Sequence, residues 1–527
     1  MASTREVVIV GAGPGGLATA LLLAGAGLKV RVLERADRVG GRTAAIESGG
    51  FRFDTGPTFF MYPRVLAEIF AAIGRDVRTE IPMVRIDPQY RLVFGAGGQL
   101  DCTADAAVME RQIVEMSPAD AGGFQRFMDD NRKKFRVFRP VLERSFRGLI
   151  DMLSPEVRGC LPYLRPWHSV GSELHAKFHD PRLAVAFSFQ AKYVGMSPWK
   201  CPSVYSVLSF LEYEAGVFHP LGGCCAVMEK MAAVARELGV EIHLDEPVTG
   251  IDFAGRRATA VRTPKGSYPA AALVVNSDFA TTMTKLVPNH LRRKWNDRKI
   301  EKSGYSCSTF MLYLGIEGLY DDVLHHTVYI AKDYDRNLAD ITERRQLSDD
   351  PSLYVQNACV TDPTLAPPGM STVYVLVPAP NNLSTIDWSR EAPRYRQLAI
   401  RQLAKIGMTD IERRIRYEHM ITPADWQHQH GIFNGAVFNL DHNLLQMLAF
   451  RPRNRFEDLQ GVFLVGGGTH PGSGLPVIFE SARLSSELVC RELRVPPLRR
   501  PPASATAQGP ILNAAFPRLA VESHDRG

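Results

Sequence analysis

The chain has 527 residues, 45% of them hydrophobic and 22% charged, with a formal net charge of +6. Those proportions exclude a disordered chain, and the length exceeds one ordinary core, which predicts two intertwined or sequential domains. No dense Lys/Arg run suggests a nucleic-acid surface, and no apolar stretch of roughly 18 residues predicts a bilayer span, so the mild positive charge better suits peripheral contact with an anionic membrane. The eight cysteines show neither C-x-x-C nor metal-like spacing, and adjacent Cys224 and Cys225 suit neither zinc nor a relaxed disulfide. They predict reduced, buried thiols in a cytosolic protein.

The chain opens on its most informative stretch. Residues 7–10 form a β-branched apolar run that ends abruptly in glycine, as a buried parallel strand does. Gly11, Gly13 and Gly16 then spell G-x-G-x-x-G before a helix-forming run over residues 17–26, closed by Gly27. Residues 29–33 predict a second strand, ending in Glu34. Gly11 permits the tight turn, Gly13 lets backbone approach a diphosphate, and Gly16 lets helix pack on strand. The helix N-terminus offers unpaired N–H groups, and Glu34 is placed to accept from a ribose diol while repelling a 2′-phosphate. The ligand class is an adenine dinucleotide, FAD or NAD. The glycine-interrupted run over residues 17–28 belongs to this unit, which argues against a signal peptide.

Arg38, Gly40, Gly41, Arg42 and Thr43 follow directly, with two glycines exposing N–H groups and Arg42 supplying a cationic fork for phosphate oxygens. This segment resembles the second phosphate-contacting element of FAD-dependent amine oxidases and carotenoid desaturases, and the resemblance selects FAD. Residues 51–53 alternate as a strand, broken at residues 54–58 (DTGPT), which look like the F-D-x-G-P-T loop of the desaturases that passes the flavin. Residues 62–73 show a helical apolar face, and residues 90–93 and 99–103 predict strands around a glycine-rich turn.

From about residue 104 to 196 the character changes to long helices with interleaved bases and aromatics. Residues 132–147 carry Lys133, Lys134, Arg136, Arg139, Arg144 and Arg147 among Phe135, Phe138 and Phe146. Such a helix either lies in a lipid headgroup layer or turns its aromatics to the core. Residues 149–167 mix apolar residues and prolines, as a lid near that surface would. His219 beside Pro220 is a lone histidine, most simply structural. Residues 226–239 predict a helix and 240–244 a strand, followed by a further strand toward Ile251 and one at 272–278. The order of these elements resembles the desaturase family, which implies that Val248 borders the adenine. Residues 305–313 and 374–378 read as strands of a sheet roofing a cavity. Residues 427–430 (QHQH) lack the carboxylates a metal site needs, so no metal is expected.

The second fixed point is residues 461–489: a buried strand at 462–465, a glycine- and proline-rich loop at 466–476, and a helix from Val477. A helix N-terminus opened by such a loop stabilises negative charge on a reduced flavin. The wording G-x-G-T-H-P-G-x-G-x-P closely resembles the carotenoid desaturase signature. Where many flavoproteins place a ribityl-binding acid this chain has Gly467, so backbone N–H contacts are expected instead.

Residues 7–493 are thus similar to the carotenoid desaturase family throughout. The resemblance implies an α/β fold, in which a Rossmann-like FAD-binding domain of the amine-oxidase type interleaves with a mixed-sheet substrate domain and a helical membrane-facing region. The expected division is 1–103, 226–300 and 441–494 for FAD binding, 104–225 for the helical region, 301–440 for the substrate sheet and 495–527 for a disordered tail. The cofactor-binding residues it implies are Gly11, Gly13, Pro14, Gly15, Gly16, Glu34, Arg35, Gly40, Gly41, Arg42, Thr43, Gly56, Pro57, Thr58, Val248, Gly466, Gly467, Leu475, Pro476 and Val477. It also implies allylic hydride removal from a linear polyisoprenoid of the phytoene or squalene type, with a quinone or O2 as terminal acceptor, in a cytoplasmic protein held peripherally on a membrane. A terminal-methyl carotenoid oxygenase is the rival on the same scaffold, and a non-catalytic prenyl-binding carrier the rival of another class. No catalytic acid or base is named; Glu480 is a candidate proton acceptor, though more simply a helix-start acid.

Overall fold

A computed structural model describes residues 6–500. Its first layer is a five-stranded parallel sheet. Strand β1 (Glu6–Val10) is central because every residue in it is buried, and helix α1 (Pro14–Gly25) returns the chain to strand β2 (Lys29–Leu33) beside it. Strands Glu241–His243, Ala272–Val275 and Val462–Leu464 complete the sheet, in the order 241–243, 29–33, 6–10, 272–275, 462–464. The sheet therefore gathers three distant stretches of the sequence. The buried face of α1 and the C-terminal helix Leu475–Glu492 share one apolar core with helices Arg64–Ala72 and Cys224–Glu237.

The second layer is a seven-stranded mixed sheet built on the long strands Ser308–Glu317 and Met370–Ala379, paired antiparallel over their full length. Strands Leu353–Gln356 and His326–Ile330 extend it. The hairpin Tyr90–Phe94/Gln99–Cys102 joins it by parallel pairing to residues 327–330, so the mixed sheet begins before residue 103. Tyr90, Leu92, Phe94 and Leu100 reach the core that holds Phe187 and Phe189, and this burial draws the hairpin away from the parallel sheet.

The basic segment turns inward. Helix Gly123–Leu142 buries Phe124, Phe127, Phe138 and Val141, and Phe146 beyond it is buried too. Even Lys134 is buried, paired to Glu173 at 2.6 Å. Exposed apolar side chains appear in the next stretch instead, where Leu149, Ile150, Leu153, Leu161 and Trp167 are 57–86% exposed. At the other end, Val495 and Leu498 pack on the core and Arg500 pairs with Glu487 and Glu480, so the chain stays attached to residue 500. The rest of the expected tail lies outside the described residues. No helix among the described residues is long and apolar enough to cross a membrane. All eight cysteines are free and buried.

Candidate functional site

The first corner is the turn from β1 into α1. Gly11 has φ +99°, a conformation that favours glycine. A Cβ at Gly16 would stand 2.1 Å from the Gly11 carbonyl, which is why this helix can sit so close to its strand. The Asn276 side chain donates to that same carbonyl at 3.1 Å, tying the turn to the end of strand Ala272–Val275. Glu34 is fixed at the tip of β2, one carboxylate oxygen accepting from the Ala12 N–H (2.7 Å) and the other from Ala36 (3.0 Å). Each oxygen keeps lone-pair capacity for a further donor.

Gly40 and Gly41, both at positive φ, bring the second glycine segment against the first, with the Gly40 N–H donating to the Ala12 carbonyl at 2.8 Å. Arg42 follows, half-buried, and donates to the Val437 carbonyl. Burial holds its guanidinium below the usual arginine range against the opposing pull of Asp278, whose carboxyl burial pushes up. With the Asn439 amide nitrogen turned to Asp278 (3.0 Å), its oxygen accepts from both Arg42 Nη atoms at 3.2 Å. Asp54 positions the adjoining loop: its carboxylate accepts from the N–H groups of Cys224 (2.9 Å) and Cys225 (2.8 Å), capping helix Cys224–Glu237 from outside.

The second corner meets the first. A Cβ at Gly15 would lie 2.6 Å from Val465 and 3.2 Å from Ile478, side chains of the C-terminal loop and helix. The loop between Val465 and Leu475 is held by Arg451, which sequence reasoning missed. Its guanidinium is fully buried and donates to the carbonyls of Thr469, Asp441, Gln446, Leu440 and Gly467 at 2.7–3.2 Å, using all five of its N–H groups. Burial brings it down to about 10, still charged at neutral pH. One of the five acceptors is Gly467, the position without the ribityl-binding acid.

Both corners open on one cavity of about 1130 Å³. Gly11, Gly13, Pro14, Glu34, Arg35, Gly41, Arg42, Thr43, Gly56, Pro57, Thr58, Val248, Gly466, Gly467, Leu475 and Pro476 line it, while Gly15, Gly16, Gly40 and Val477 are not among its lining residues. The cavity continues over the mixed sheet, whose contribution includes Met311, Val328, Leu353 and Leu376. Gly56 and Thr58 hang over that sheet. Tyr374 donates to the Gly56 carbonyl at 2.7 Å, and the Tyr354 hydroxyl lies 2.6 Å from Thr58 Oγ1 and 2.8 Å from His326 Nδ1. Burial keeps His326 neutral, well below its usual range.

The glycine cradle, the cavity-lining carboxylate of Glu34 and a cavity continuous with an apolar sheet face fit a bound flavin dinucleotide. Glu480 is not part of that lining. It lies between Arg483 (3.2 Å) and Arg500 (3.6 Å), with burial pushing its carboxyl up to about 7. His219 is buried against Asp362 at 3.1 Å, in a structural pair. His428 and His430 line the cavity, and no cluster of metal-ligating side chains occurs among the described residues.

A family model described as flavin containing amine oxidoreductase matches residues 14–493. The chain is 40% identical to the 4,4'-diapophytoene desaturase (4,4'-diapolycopene-forming) of Methylomonas sp, across 94% of this chain and 97% of that one. It is 36% identical to the all-trans-zeta-carotene desaturase of Myxococcus xanthus (94% and 95% covered). It is 33% identical to the lycopene-forming phytoene desaturase of Pseudescherichia vulneris (93% and 100% covered). Among solved structures, putrescine oxidase with putrescine bound superposes with a TM-score of 0.58 at 14% identity, covering 93% of this chain and 99% of that one. At that identity the likeness concerns the fold.

Proposed function

Since the chain belongs to the flavin-containing amine oxidoreductases, and within them to the carotenoid desaturases, we propose that it desaturates a linear polyisoprenoid of the diapophytoene or phytoene type with FAD as its cofactor. The observation that carries the reading is the single cavity that joins two glycine-rich corners to an apolar sheet face. Gly13 and the α1 N-terminus take the diphosphate, Glu34 the ribose, Val248 the adenine side, and the loop ending in Leu475 and Pro476 the ring. Bound FAD supplies the hydride acceptor. The protein's share is position and dryness: Met311, Val328 and Leu376 hold the chain flat beneath residues 56–58 and keep water out. Hydride loss spreads positive charge along the conjugated chain, so the neighbouring C–H becomes acidic and a weak base suffices. The Thr58–Tyr354–His326 line of hydrogen bonds sets hydroxyl groups at the edge of the cavity beneath which that proton is released.

Expression in a host that makes either precursor, with pigment mass as readout, tests the reading. Loss of hydrogen pairs at constant oxygen count is expected. A gain of oxygen with an aldehyde would assign the terminal-methyl oxygenase instead.

The same reading includes docking on a membrane, where such substrates reside. Exposed Leu149, Ile150, Leu153, Leu161 and Trp167 beside Arg147 form an apolar patch with a basic margin. Ile150→Glu combined with Trp167→Glu is expected to weaken flotation with anionic lipid vesicles at least ~tenfold, because a buried apolar side chain is worth about 1.5–3 kcal/mol. Flavin content should be unchanged. Undiminished flotation would rule this patch out as the docking surface.

A further inference from the structure

The cavity carries a set of polar atoms that hydrocarbon desaturation does not use. Lys192 lies in the short 3-10 segment Phe189–Val194, and Tyr334 and Asn337 lie one turn apart on helix Tyr334–Ala339; all three line the cavity. Lys192 Nζ, the Tyr334 hydroxyl and Asn337 Nδ2 are shielded from solvent, and each lacks a hydrogen-bond partner among the described residues. Asn337 Oδ1 is already taken by the Ser352 N–H at 3.2 Å, leaving its amide nitrogen for something else. The Cys307 N–H donates to the Gly195 carbonyl at 3.1 Å, so the segment that carries Lys192 ends beside the start of strand Ser308–Glu317, and Asn337, one turn from Tyr334, is held to Ser352 at that same end of the sheet; the donors share one corner.

Strand register places that corner away from the 56–58 loop. Tyr374 is bonded to Gly56, and Leu376 and Pro378 follow it along the cavity face of the same strand. Met311 pairs with Leu376 and Thr309 with Pro378, while Tyr354 also pairs with Leu376 and Ser352 lies two residues before it. From Tyr374 to Pro378 is four residues, about 13 Å at ~3.3 Å each. A methyl-terminated chain reaching the corner would leave three buried donors unpaired, which is costly; an oxygen acceptor there would pair them.

We propose that this corner receives the carbonyl oxygen of an aldehyde or carboxylate terminus, on a linear polyene whose reacting carbons lie beneath residues 56–58. The proposal rests on the polyisoprenoid desaturase reading and widens its substrate class to end-oxygenated chains. Burial holds the Lys192 amine below the usual lysine range, and a carboxylate at the corner would push it back up.

The test uses the flavin-loaded protein and three linear polyenes of equal length, ending in a methyl, an aldehyde or a carboxylate, with binding read from the shift of the polyene absorption band. The wild type should bind an oxygenated end at least ~tenfold tighter than the methyl end, and the tighter of the two identifies the terminus. Lys192→Met should erase the preference and Tyr334→Phe should reduce it, with flavin absorbance and melting temperature reporting intact folding of each. Equal binding of all three polyenes by the wild type would overturn the proposal alone, as would a preference that survives Lys192→Met. Binding of none would overturn the desaturase reading and this proposal with it.

Discussion

Replacing Gly13 by valine is expected to strip the protein of its flavin while leaving the fold standing. Gly13 has φ −75° and ψ 178°, a conformation open to any residue, so the effect does not come from backbone strain. A Cβ there would stand 2.9 Å from Asn276 Nδ2 and 3.9 Å from the Gly40 carbonyl. The Asn276 side chain can give way, but the valine methyls would then fill the space proposed for the diphosphate at the α1 N-terminus. A loss of about 3 kcal/mol weakens binding by more than ~100-fold, enough to leave purified protein colourless. Gly16→Val is the contrast, since its Cβ would press at 2.1 Å on the Gly11 carbonyl, which is backbone and cannot swing aside as a side chain can; there the fold itself should fail. The ratio of flavin to protein absorbance, read beside a melting curve, separates the two. A yellow, active Gly13→Val protein would remove the diphosphate from this turn.

What could be read without coordinates was local. The run β1, α1, β2 carries its period, its turn residues and its terminal acid within residues 6–34, and the strand, loop and helix of residues 462–492 are as self-contained. Partnerships across the chain left no such trace. Asn276 completes the first corner from 265 positions away, and neither its residue type nor its neighbours announce that. The Tyr90–Phe94 hairpin shows its alternation plainly, yet which sheet it joins depends on Phe187 and Phe189. The basic segment admits both a membrane face and an inward turn of its aromatics, because its charge density does not say which way they point; in the fold its phenylalanines turn inward and Lys134 finds Glu173, leaving the exposed apolar residues to the less conspicuous stretch that follows. Lys192 did leave a signal, a single lysine inside the otherwise uncharged segment FQAKYV, but only the cavity shows that nothing among the described residues pairs with it.

Arg451 is where a single side chain has the widest reach, and Arg451→Leu is expected to destabilise the protein and release the flavin together. Its five N–H groups hold carbonyls from two segments, Leu440, Asp441 and Gln446 on one side and Gly467 and Thr469 on the other. Leucine fills part of the volume but leaves the carbonyls of Leu440, Gln446, Gly467 and Thr469 without the arginine donors and that of Asp441 with only a long contact from Gln446 Nε2 at 3.5 Å, at ~1–3 kcal/mol for each that water cannot reach. Some will be rehydrated as the loop loosens, so a net loss of about 4 kcal/mol is the expected scale, large against the ~5–15 kcal/mol that holds a typical domain together. The loop that loosens is the one expected to carry the flavin ring, because Gly467 lines the cavity and Leu475 opens the facing helix. Arg451→Lys should fall between, since an ammonium has three donors for five acceptors and lacks the planar fork. Thermal melting with and without added FAD measures both effects. A stabilising response to FAD that is intact in Arg451→Leu would mean that the loop keeps its shape without this cation, and the second corner would then need another explanation.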